Sequence, residues 1–344
     1  MTGEVVRAAR RNPSLADVAK VAGVSSQTVS RVVNGHGNVV PATRERVLEA
    51  LQTVGYRPNA AARALATGRS RALGVLSFSV SRLGDVRSLS GIATAASRAG
   101  YSISLLSLHE ATTGGVDAGI AHLSGQEVDG LVIIEAEVLR SPVFAVPGNL
   151  PLVVTDAVAS PRCPNVDTDQ AAGARLAVRH LLQLGHRTVH HVSGPPNSRA
   201  ARERRRSWRA TLESEGRPVP AEHVGDWTSA TGYRIGRVLA ARPRGEVTAV
   251  FSANDQMALG VLRAFHEAGL DVPGDVSVVG FDDVEEAGDY WPPLTTVRQD
   301  FEGVGELCVS LLLDQIHRPD APAAGTHRVP VQLVVRSSAA PPRP

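Results

Sequence analysis

Cysteine, methionine and aromatic residues are scarce in this chain. Its 344 residues include two cysteines, two methionines and 4% aromatic side chains. Cys163 and Cys308 are too few for a disulfide framework and lack the spacing of a zinc site. Their scarcity excludes small disulfide-rich and zinc-stabilised proteins, and two free thiols fit a reducing compartment.

Long apolar runs are missing as well. No stretch is long enough to span a bilayer, and the first residues, Met1-Thr-Gly-Glu-Val-Val-Arg, lack the apolar core of a signal peptide. The sequence therefore predicts a cytoplasmic protein that has no membrane partner.

Motifs typical of nucleotide-binding and hydrolytic enzymes are also absent. The chain contains no Gly-x-Gly-x-x-Gly after a strand, no phosphate loop and no Gly-x-Ser-x-Gly elbow. His186, His190 and His191 are close in sequence, but adjacent strand residues point to opposite faces, which disfavours a metal site. We therefore expect no catalytic residues, no bound metal and no cofactor.

Positive charge is concentrated at the N-terminal end. Residues 1–70 contain ten Arg or Lys and four Asp or Glu, a net charge of +6. The other 274 residues contain 26 cationic and 30 acidic side chains, a net charge of −4. A basic first segment on a mildly acidic body is typical of a protein that binds phosphates with one end only.

Residues 14–34 have the pattern of two short helices joined by a tight turn. Apolar residues recur at helical spacing from Leu15, and Ser14 with Asp17 can form a capping pair at the start. Gly23 can supply the turn. This pattern predicts a helix-turn-helix motif, although an ordinary helical hairpin with a solvated polar face would share it.

The second of these helices is the candidate recognition helix. Ser25 or Ser26 can cap it, and Val29, Val32 and Val33 would face the core. The side chains left outside are short hydrogen-bonding groups and one guanidinium: Ser26, Gln27, Thr28, Ser30 and Arg31. These groups can bind base edges and phosphates in a major groove.

The segments that follow continue this helical pattern. Pro41–Leu51 predicts a third helix with Val47, Leu48 and Leu51 in the core, followed by Gly55-Tyr-Arg-Pro-Asn59 and the alanine-rich residues 60–66. In this order the elements resemble the LacI/GalR family of transcription regulators, and the lac-repressor type in particular, across nearly the whole chain. Val40 departs from the family, which usually has a serine before the third helix.

The resemblance implies a headpiece that binds operator DNA as a homodimer on a palindromic site. We expect Gln27 and Arg31, with Ser26 beside them, to reach base edges. It further implies that the hinge helix, residues 59–66, folds only on DNA and inserts Leu65 into a base step. The implied DNA contacts are Ser25, Ser26, Gln27, Thr28, Ser30, Arg31, Asn34, Thr43, Tyr56, Asn59 and Leu65.

From Arg71 onward, buried strands alternate with helices, which predicts parallel sheets with covered faces. Strands are predicted near 72–76, 101–106, 130–134, 151–155, 188–193, 248–252 and 276–280. Helices are predicted near 88–99, 114–124, 170–184, 200–215 and 255–268. The fold class is therefore α+α/β: a small N-terminal helix-turn-helix domain and a core that, by the resemblance, has two Rossmann-like subdomains of the periplasmic-binding-protein type.

These expectations divide the chain into a headpiece (1–58), a hinge helix and linker (59–70), an effector-binding and dimerisation core (71–338) and a disordered tail (339–344). Within the core, one subdomain is predicted at 72–163 with 300–322. The other is predicted at 164–297 with 325–338.

Polar residues at strand ends mark a candidate ligand site, because ligands of parallel sheets bind beyond the carboxyl ends of the strands. Asp156 follows one predicted strand, Asn254 and Asp255 another, and Asp282 and Asp283 a third. Each could instead cap a helix or make a turn. The resemblance assigns effector contact to Asp156, Arg204, Trp227, Asn254, Asp282, Gln299 and Phe301.

This mixture of carboxylates, amides, one guanidinium and an indole face suits a sugar. The sequence predicts a sugar-responsive repressor released by a β-linked galactoside or glucoside. Alternatives are a regulator that responds to a sugar phosphate or nucleobase, and a sugar-binding protein without a role at DNA. Thr168, where the lac-repressor type has an aromatic residue, and Ser207, where the family often has glycine, depart from the family and alter the pocket's expected shape.

Overall fold

A computed structural model describes residues 13–33, 39–56, 68–78, 83–108, 113–134, 150–156, 163–318 and 325–343. The chain divides into two compact units, residues 1–70 and 71–344. The predicted contacts Asn34, Asn59 and Leu65, and the hinge helix at 59–66, lie outside the described residues.

The first unit contains three helices, α1 (Leu15–Ala22), α2 (Ser26–Val33) and α3 (Pro41–Val54). The predicted capping box at the start of α1 is present, and Gly23 ends this helix in the left-handed region with φ 66°. The Ser25 hydroxyl accepts the first-turn N–H of Thr28 at 3.2 Å and so caps α2. The sequence therefore identified both helix starts correctly.

The core of this unit is small and aliphatic, and it includes Val18, Val29, Val32 and Val47. Leu48, predicted to be in the core, is 48% exposed. Ala50 is buried instead, since its position three residues after Val47 places it on the inner face of α3. No side chain caps α3 at Val40, as its departure from the family pattern predicts.

The second unit contains two six-stranded sheets, and the first is parallel throughout. Its strand order is β11-β5-β4-β3-β1-β2. The strands are β1 (Ala72–Ser77), β2 (Ser102–Ser107), β3 (Gly130–Ile134), β4 (Leu152–Thr155), β5 (Pro164–Thr168) and β11 (Gly325–Val329). The helices α4 (Leu83–Arg98), α5 (Thr113–Gly125) and α10 (Phe301–His317) pack on this sheet or on one another.

The second sheet has the order β12-β10-β9-β8-β6-β7, and only β12 runs antiparallel to its neighbour. Its strands are β6 (His190–Ser193), β7 (His223–Val224), β8 (Ala249–Ser252), β9 (Ser277–Asp282), β10 (Thr295–Gln299) and β12 (Val331–Val334). Its helices are α6 (Gln170–Gln183), α7 (Arg199–Ser214), α8 (Ser229–Ala240) and α9 (Asp255–Glu267). The described residues contain no helix that is long and apolar enough to cross a membrane.

Two of the boundaries expected between the subdomains are wrong. We expected residues from 164 onward and residues 325–338 to belong to the second subdomain. The strands β5 and β11 instead pair with each other in the first sheet. Only β12 of the 325–338 segment reaches the second sheet, because the chain crosses over after Val329.

The predicted disordered tail, residues 339–344, is also corrected. Residues 337–343, here called the C-terminal strap, lie against the second sheet. The backbone N–H of Ala340 donates to the Ser277 hydroxyl at 3.0 Å, and the His186 ring lies 3.0 Å from the Ala340 carbonyl oxygen. Arg343 pairs with Asp271 at 2.7 Å. Hydrogen bonds and an ion pair hold the strap in place. Its small residues and prolines gave no sign of these contacts in the sequence.

Ser338 is the buried anchor of the strap, and its loss should destabilise the second unit. Its hydroxyl donates to the Val278 carbonyl at 2.5 Å and accepts the Thr295 N–H at 2.8 Å. Ser338→Ala strands both groups in the interior, so we expect the free energy of unfolding to fall by about 1–3 kcal/mol in urea titrations. Ser337→Ala, at the neighbouring exposed position, is the matched control. Equal midpoints for the two variants would contradict this role.

His191 is fully buried in β6, between β8 and the edge strand β7 of the second sheet. Its Nδ1 lies 2.9 Å from the Phe251 carbonyl oxygen, and its ring stacks on Phe251 with centroids 4.8 Å apart. Burial lowers the pKa of His191 to about 4. The folded protein therefore keeps this ring neutral, whereas the unfolded chain takes up a proton near its ordinary pKa of 6.5.

This difference predicts acid sensitivity. The contribution of His191 is constant above pH 6.5 and is lost as the pH falls from 6.5 to about 4. Over that window the loss approaches about 3 kcal/mol. Urea midpoints of His191→Phe should change less between pH 7 and pH 5 than those of the wild type. His266→Phe, at an exposed site, should follow the wild type; identical profiles for both variants would refute the assignment.

Candidate functional site

In the first unit, the polar face of α2 is exposed as predicted. Ser26, Gln27 and Arg31 are exposed, whereas Val29 and Val32 are buried on the opposite side. Gln27 and Arg31 are four residues apart and therefore lie on one helix face. The geometry provides one amide and one guanidinium side by side on a helix small enough for a major groove.

The other described candidates in this unit have partly structural roles. The Ser25 hydroxyl is 2.9 Å from that of Thr28 and is the cap of α2. Tyr56 packs against the core of the three helices. Ser30 is half-buried in α2, and Thr43 is half-buried in the first turn of α3.

In the second unit, most of the predicted effector residues converge at strand ends. Asp282 is the last residue of β9 and Gln299 the last of β10, and these strands are parallel neighbours. Asn254 follows β8 on the other side of β9. Since parallel strands end at the same edge of a sheet, these three side chains share one edge. The strand-end pattern of the sequence predicts this position for Asn254 and Asp282, whereas Gln299 was expected from the family resemblance.

Four buried side chains form a closed ring at this edge, here called the polar ring: Gln170, Arg204, Asp282 and Gln299. Gln299 Nε2 donates to Asp282 Oδ1 at 2.7 Å, and Arg204 Nη2 lies 3.6 Å from the same oxygen. Arg204 Nε donates to Gln170 Oε1 at 2.8 Å. Gln170 Nε2 closes the ring by donating to Gln299 Oε1 at 3.0 Å.

Sequence reasoning missed Gln170. The residue opens α6 directly after the helix cap Asp169, and its main partner, Gln299, is 129 positions away in the chain. No local pattern reveals such a contact. Thr168, at the end of β5, joins the ring through a 2.6 Å hydrogen bond to Gln299.

Aromatic faces enclose the guanidinium of Arg204. Its carbon lies 3.7 Å from the centroid of the Phe281 ring and 5.6 Å from that of Trp227. The Trp227 ring lies so close to Gly194 that a Cβ there would be 2.3 Å from it. Arg204 is only 4% exposed, and this burial lowers its pKa against the opposing effect of Asp282.

Burial also sets the charges of the two carboxyls nearby. It raises the pKa of Asp282 to about 6, with Arg204 acting in the opposite direction. It raises the pKa of Asp255 to about 8, and Asp255 accepts hydrogen bonds from Thr296 and from the Val284 N–H. Burial thus disfavours the charged form of both carboxyls, and Arg204 offsets part of this effect at Asp282. Asp255, which accepts hydrogen bonds through both oxygens, has a structural role.

Asn254 and Asp156 lie outside the polar ring. Asn254 caps α9 by accepting the Met257 N–H at 3.0 Å, and its amide donates to the Trp227 carbonyl at 3.0 Å. The helix-capping alternative thus holds for Asn254. Asp156 is half-buried after β4 with φ 51°, at the corresponding end of the first sheet. Their contact with an effector stays a prediction.

Phe301 lies at a cavity that also reaches the polar ring. The cavity has a volume of about 350 Å³ and touches Gln299 at the ring. Phe301 opens α10, and the guanidinium carbon of Arg87 is 5.8 Å from its centroid. The remaining lining residues are Ser90, Gly91, Thr94, Asp300 and Glu302. Among the described residues, no group of three His, Cys, Asp or Glu side chains could hold a metal ion.

Comparison with known sequences gives two matching domain profiles. The profile of "Bacterial regulatory proteins, lacI family" matches residues 14–59, and that of "Periplasmic binding protein-like domain" matches residues 178–339. The lactose operon repressor of Escherichia coli (strain K12) is 36% identical over 94% of this chain and 90% of its own length. The regulator CelR of Thermobifida fusca is 36% identical over 95% of this chain and 97% of its own.

Solved structures agree with the sequence comparisons. The lac repressor dimer bound to operator and the anti-inducer ONPF matches with a TM-score of 0.82 and 34% identity, covering 96% of this chain and 100% of that one. The CelR–cellobiose complex matches with a TM-score of 0.68 and 30% identity, covering 95% and 100%. These relatives are transcription regulators and not enzymes.

Proposed function

Because the chain belongs to the LacI family of bacterial transcription repressors and carries a sugar-binding type of domain, we propose that it binds a palindromic operator as a homodimer and is released by a neutral sugar. The polar ring carries this proposal: it pairs the buried cation with a carboxylate and leaves amides and an indole face beside it. Its place of action is the bacterial nucleoid.

The DNA half of the proposal rests on the exposed face of α2. One three-helix unit reads only half of a site, so two copies related by a twofold axis match a palindrome. Gln27 and Arg31 read bases in this scheme. The remaining proposed contacts, which hold the DNA backbone or open a base step, are Ser25, Ser26, Thr28, Ser30, Asn34, Thr43, Tyr56, Asn59 and Leu65.

We assign the headpiece to residues 1–58 and the hinge and linker to residues 59–70. The effector core begins at residue 71. Binding of the sugar in the core and of DNA at the headpiece oppose each other, so each must weaken the other by the same factor.

The proposed effector is a β-linked galactoside or glucoside, such as lactose or cellobiose. The seven proposed contacts, Asp156, Arg204, Trp227, Asn254, Asp282, Gln299 and Phe301, supply both donors and acceptors, which sugar hydroxyls require. The solved complex of CelR with cellobiose supports a ligand of this class.

The charges disfavour a sugar phosphate. Arg204 is matched by Asp282, and two neighbouring cations of α7 face other partners. Arg202 donates to the Pro196 carbonyl, and Arg205 pairs with Glu222 at 3.1 Å. A phosphate would favour several cations directed at one point.

A DNA-release assay tests the proposal. An operator is first selected from a library of random palindromes, and its complex with the full chain is followed by fluorescence anisotropy. We expect cellobiose or lactose to release the DNA and glucose 6-phosphate not to. If the selection yields no operator, the proposal that the protein is a repressor is wrong. If glucose 6-phosphate alone releases the DNA, the proposal of a neutral sugar is wrong.

A further inference from the structure

We propose that Gln170 is a positioning residue that fixes the direction of every hydrogen bond in the polar ring and thereby sets which sugar epimer the pocket accepts. This inference rests on the function proposed above and deepens it. It concerns a residue outside the seven proposed effector contacts.

Gln170 is well placed to control its neighbours. It is 3% exposed and bonds to residues from three other elements: α7, β10 and the end of β5. Its carbonyl oxygen accepts from Arg204, and its amide nitrogen donates to Gln299 and Thr168. Both of its polar atoms are therefore used inside the site.

Arg204 determines which way the ring runs. A guanidinium can only donate, so the Gln170 atom that faces Arg204 Nε must be its oxygen. The Gln170 nitrogen must then face Gln299, which fixes Oε1 of Gln299 as the acceptor. The Gln299 nitrogen is left for Asp282, whose ionised carboxylate can only accept.

This fixed direction decides what the site offers to a sugar. Arg204 donates through Nε to Gln170 and through Nη1 to the Ala253 carbonyl, and its Nη2 lies 3.6 Å from Asp282 Oδ1. The hydrogen bonds that Arg204 and Asp282 can make with a sugar are therefore limited to those that the ring leaves unused. A hydroxyl that meets the wrong partner leaves buried polar groups unpaired. Epimers differ in the direction of a single hydroxyl, so a rigid ring distinguishes them better than a loose one.

The first test measures binding of two epimeric probes, cellobiose and lactose, to the full chain by titration calorimetry. Gln170→Met preserves the approximate volume and removes both polar atoms. We expect it to weaken binding of the preferred disaccharide 10- to 100-fold and to bring the ratio of the two dissociation constants towards one. A packing role alone would leave that ratio unchanged.

Gln183→Met makes the same substitution at the exposed end of the same helix and should leave both constants unchanged. Operator affinity without sugar should also be unchanged in Gln183→Met. If Gln170→Met has the same two dissociation constants as the wild type, and so the same ratio, the inference is wrong and the proposed function still stands. Failure of wild-type protein to bind either disaccharide would instead count against the neutral-sugar proposal.

A second test is independent of the ligand. Gln170→Glu gives Arg204 a second carboxylate and forces Gln299 to turn its oxygen towards Asp282. Asp282→Asn removes the original carboxylate. The double variant keeps one carboxylate beside Arg204 and lets Gln299 reverse, so its urea midpoint should lie above that of either single variant. If the decrease in urea midpoint of the double variant equals the sum of the two single decreases, the proposal that the ring has a fixed direction is wrong.

Discussion

Replacing Asp282 with asparagine is expected to abolish the response to sugar while operator binding stays close to that of the wild type. Asp282 accepts from Gln299 at 2.7 Å and lies 3.6 Å from the Arg204 guanidinium. The substitution keeps the shape but removes the charge, so Arg204 stays buried without this carboxylate. We expect the effector concentration needed to release the operator to rise at least about 100-fold, equivalent to about 3 kcal/mol.

The measurement is a sugar titration of the preformed operator complex. Asp289→Asn, which makes the same change at an exposed position a few residues later, should respond as the wild type does. Normal release of the operator from Asp282→Asn would move the effector pocket away from the polar ring. A parallel loss of operator affinity would show that the substitution damages the whole protein.

Loss of Gln27 or Arg31 is expected to weaken operator binding 10- to 100-fold for each residue. Both side chains lie on the exposed face of α2, opposite the buried Val29 and Val32. A side chain that makes paired hydrogen bonds to one base contributes about 1–3 kcal/mol of discrimination. Alanine at either position should therefore also relax the preference at one base pair of each half-site.

Binding to a panel of single-base operator variants measures both effects at one fixed salt concentration. Lys20→Ala removes one exposed cation from the last turn of α1 and serves as the charge control. It should lower affinity for all sequences by the same small factor, because the general attraction between a cation and the phosphate backbone does not depend on the base sequence. An unchanged base preference in both Gln27→Ala and Arg31→Ala would rule out this docking of the helix.

The sequence predicted many core elements whose pattern is local, although it did not predict the helices α8 and α10 or the strands β7, β10, β11 and β12. Buried strands such as Gly130–Ile134 are short, continuous apolar runs rich in β-branched residues, and this composition identifies them. The strand Pro164–Thr168 escaped because it starts with proline and carries Asn165 and Asp167. Its burial between β4 and β11 overrides that composition, which only the folded sheet reveals.

The same limit applies to the candidate site. Residues that follow predicted strands, such as Asn254 and Asp282, could be identified because parallel strand ends lie together at one edge of a sheet. Gln299 came from the family resemblance, because the strand that it ends was not predicted. Gln170 is the first residue of its helix and has no distinguishing neighbour, and its role depends on contacts with Arg204 and Gln299 from distant parts of the chain. The prediction for the strap was wrong for a related reason. Its small residues and prolines suggest disorder, yet Ser338 and Ala340 form hydrogen bonds with residues of β9 and β10.

The path of the chain between the two sheets bears on how the protein is made. Both sheets take a strand from the region after α10, β11 for the first and β12 for the second. On a ribosome the helical headpiece emerges first and has its own apolar core, whereas neither sheet has all its strands until residues 325–334 have been synthesised. A translating chain therefore passes through a stage in which all three helices of the first unit have been synthesised and both sheets of the second unit are still incomplete.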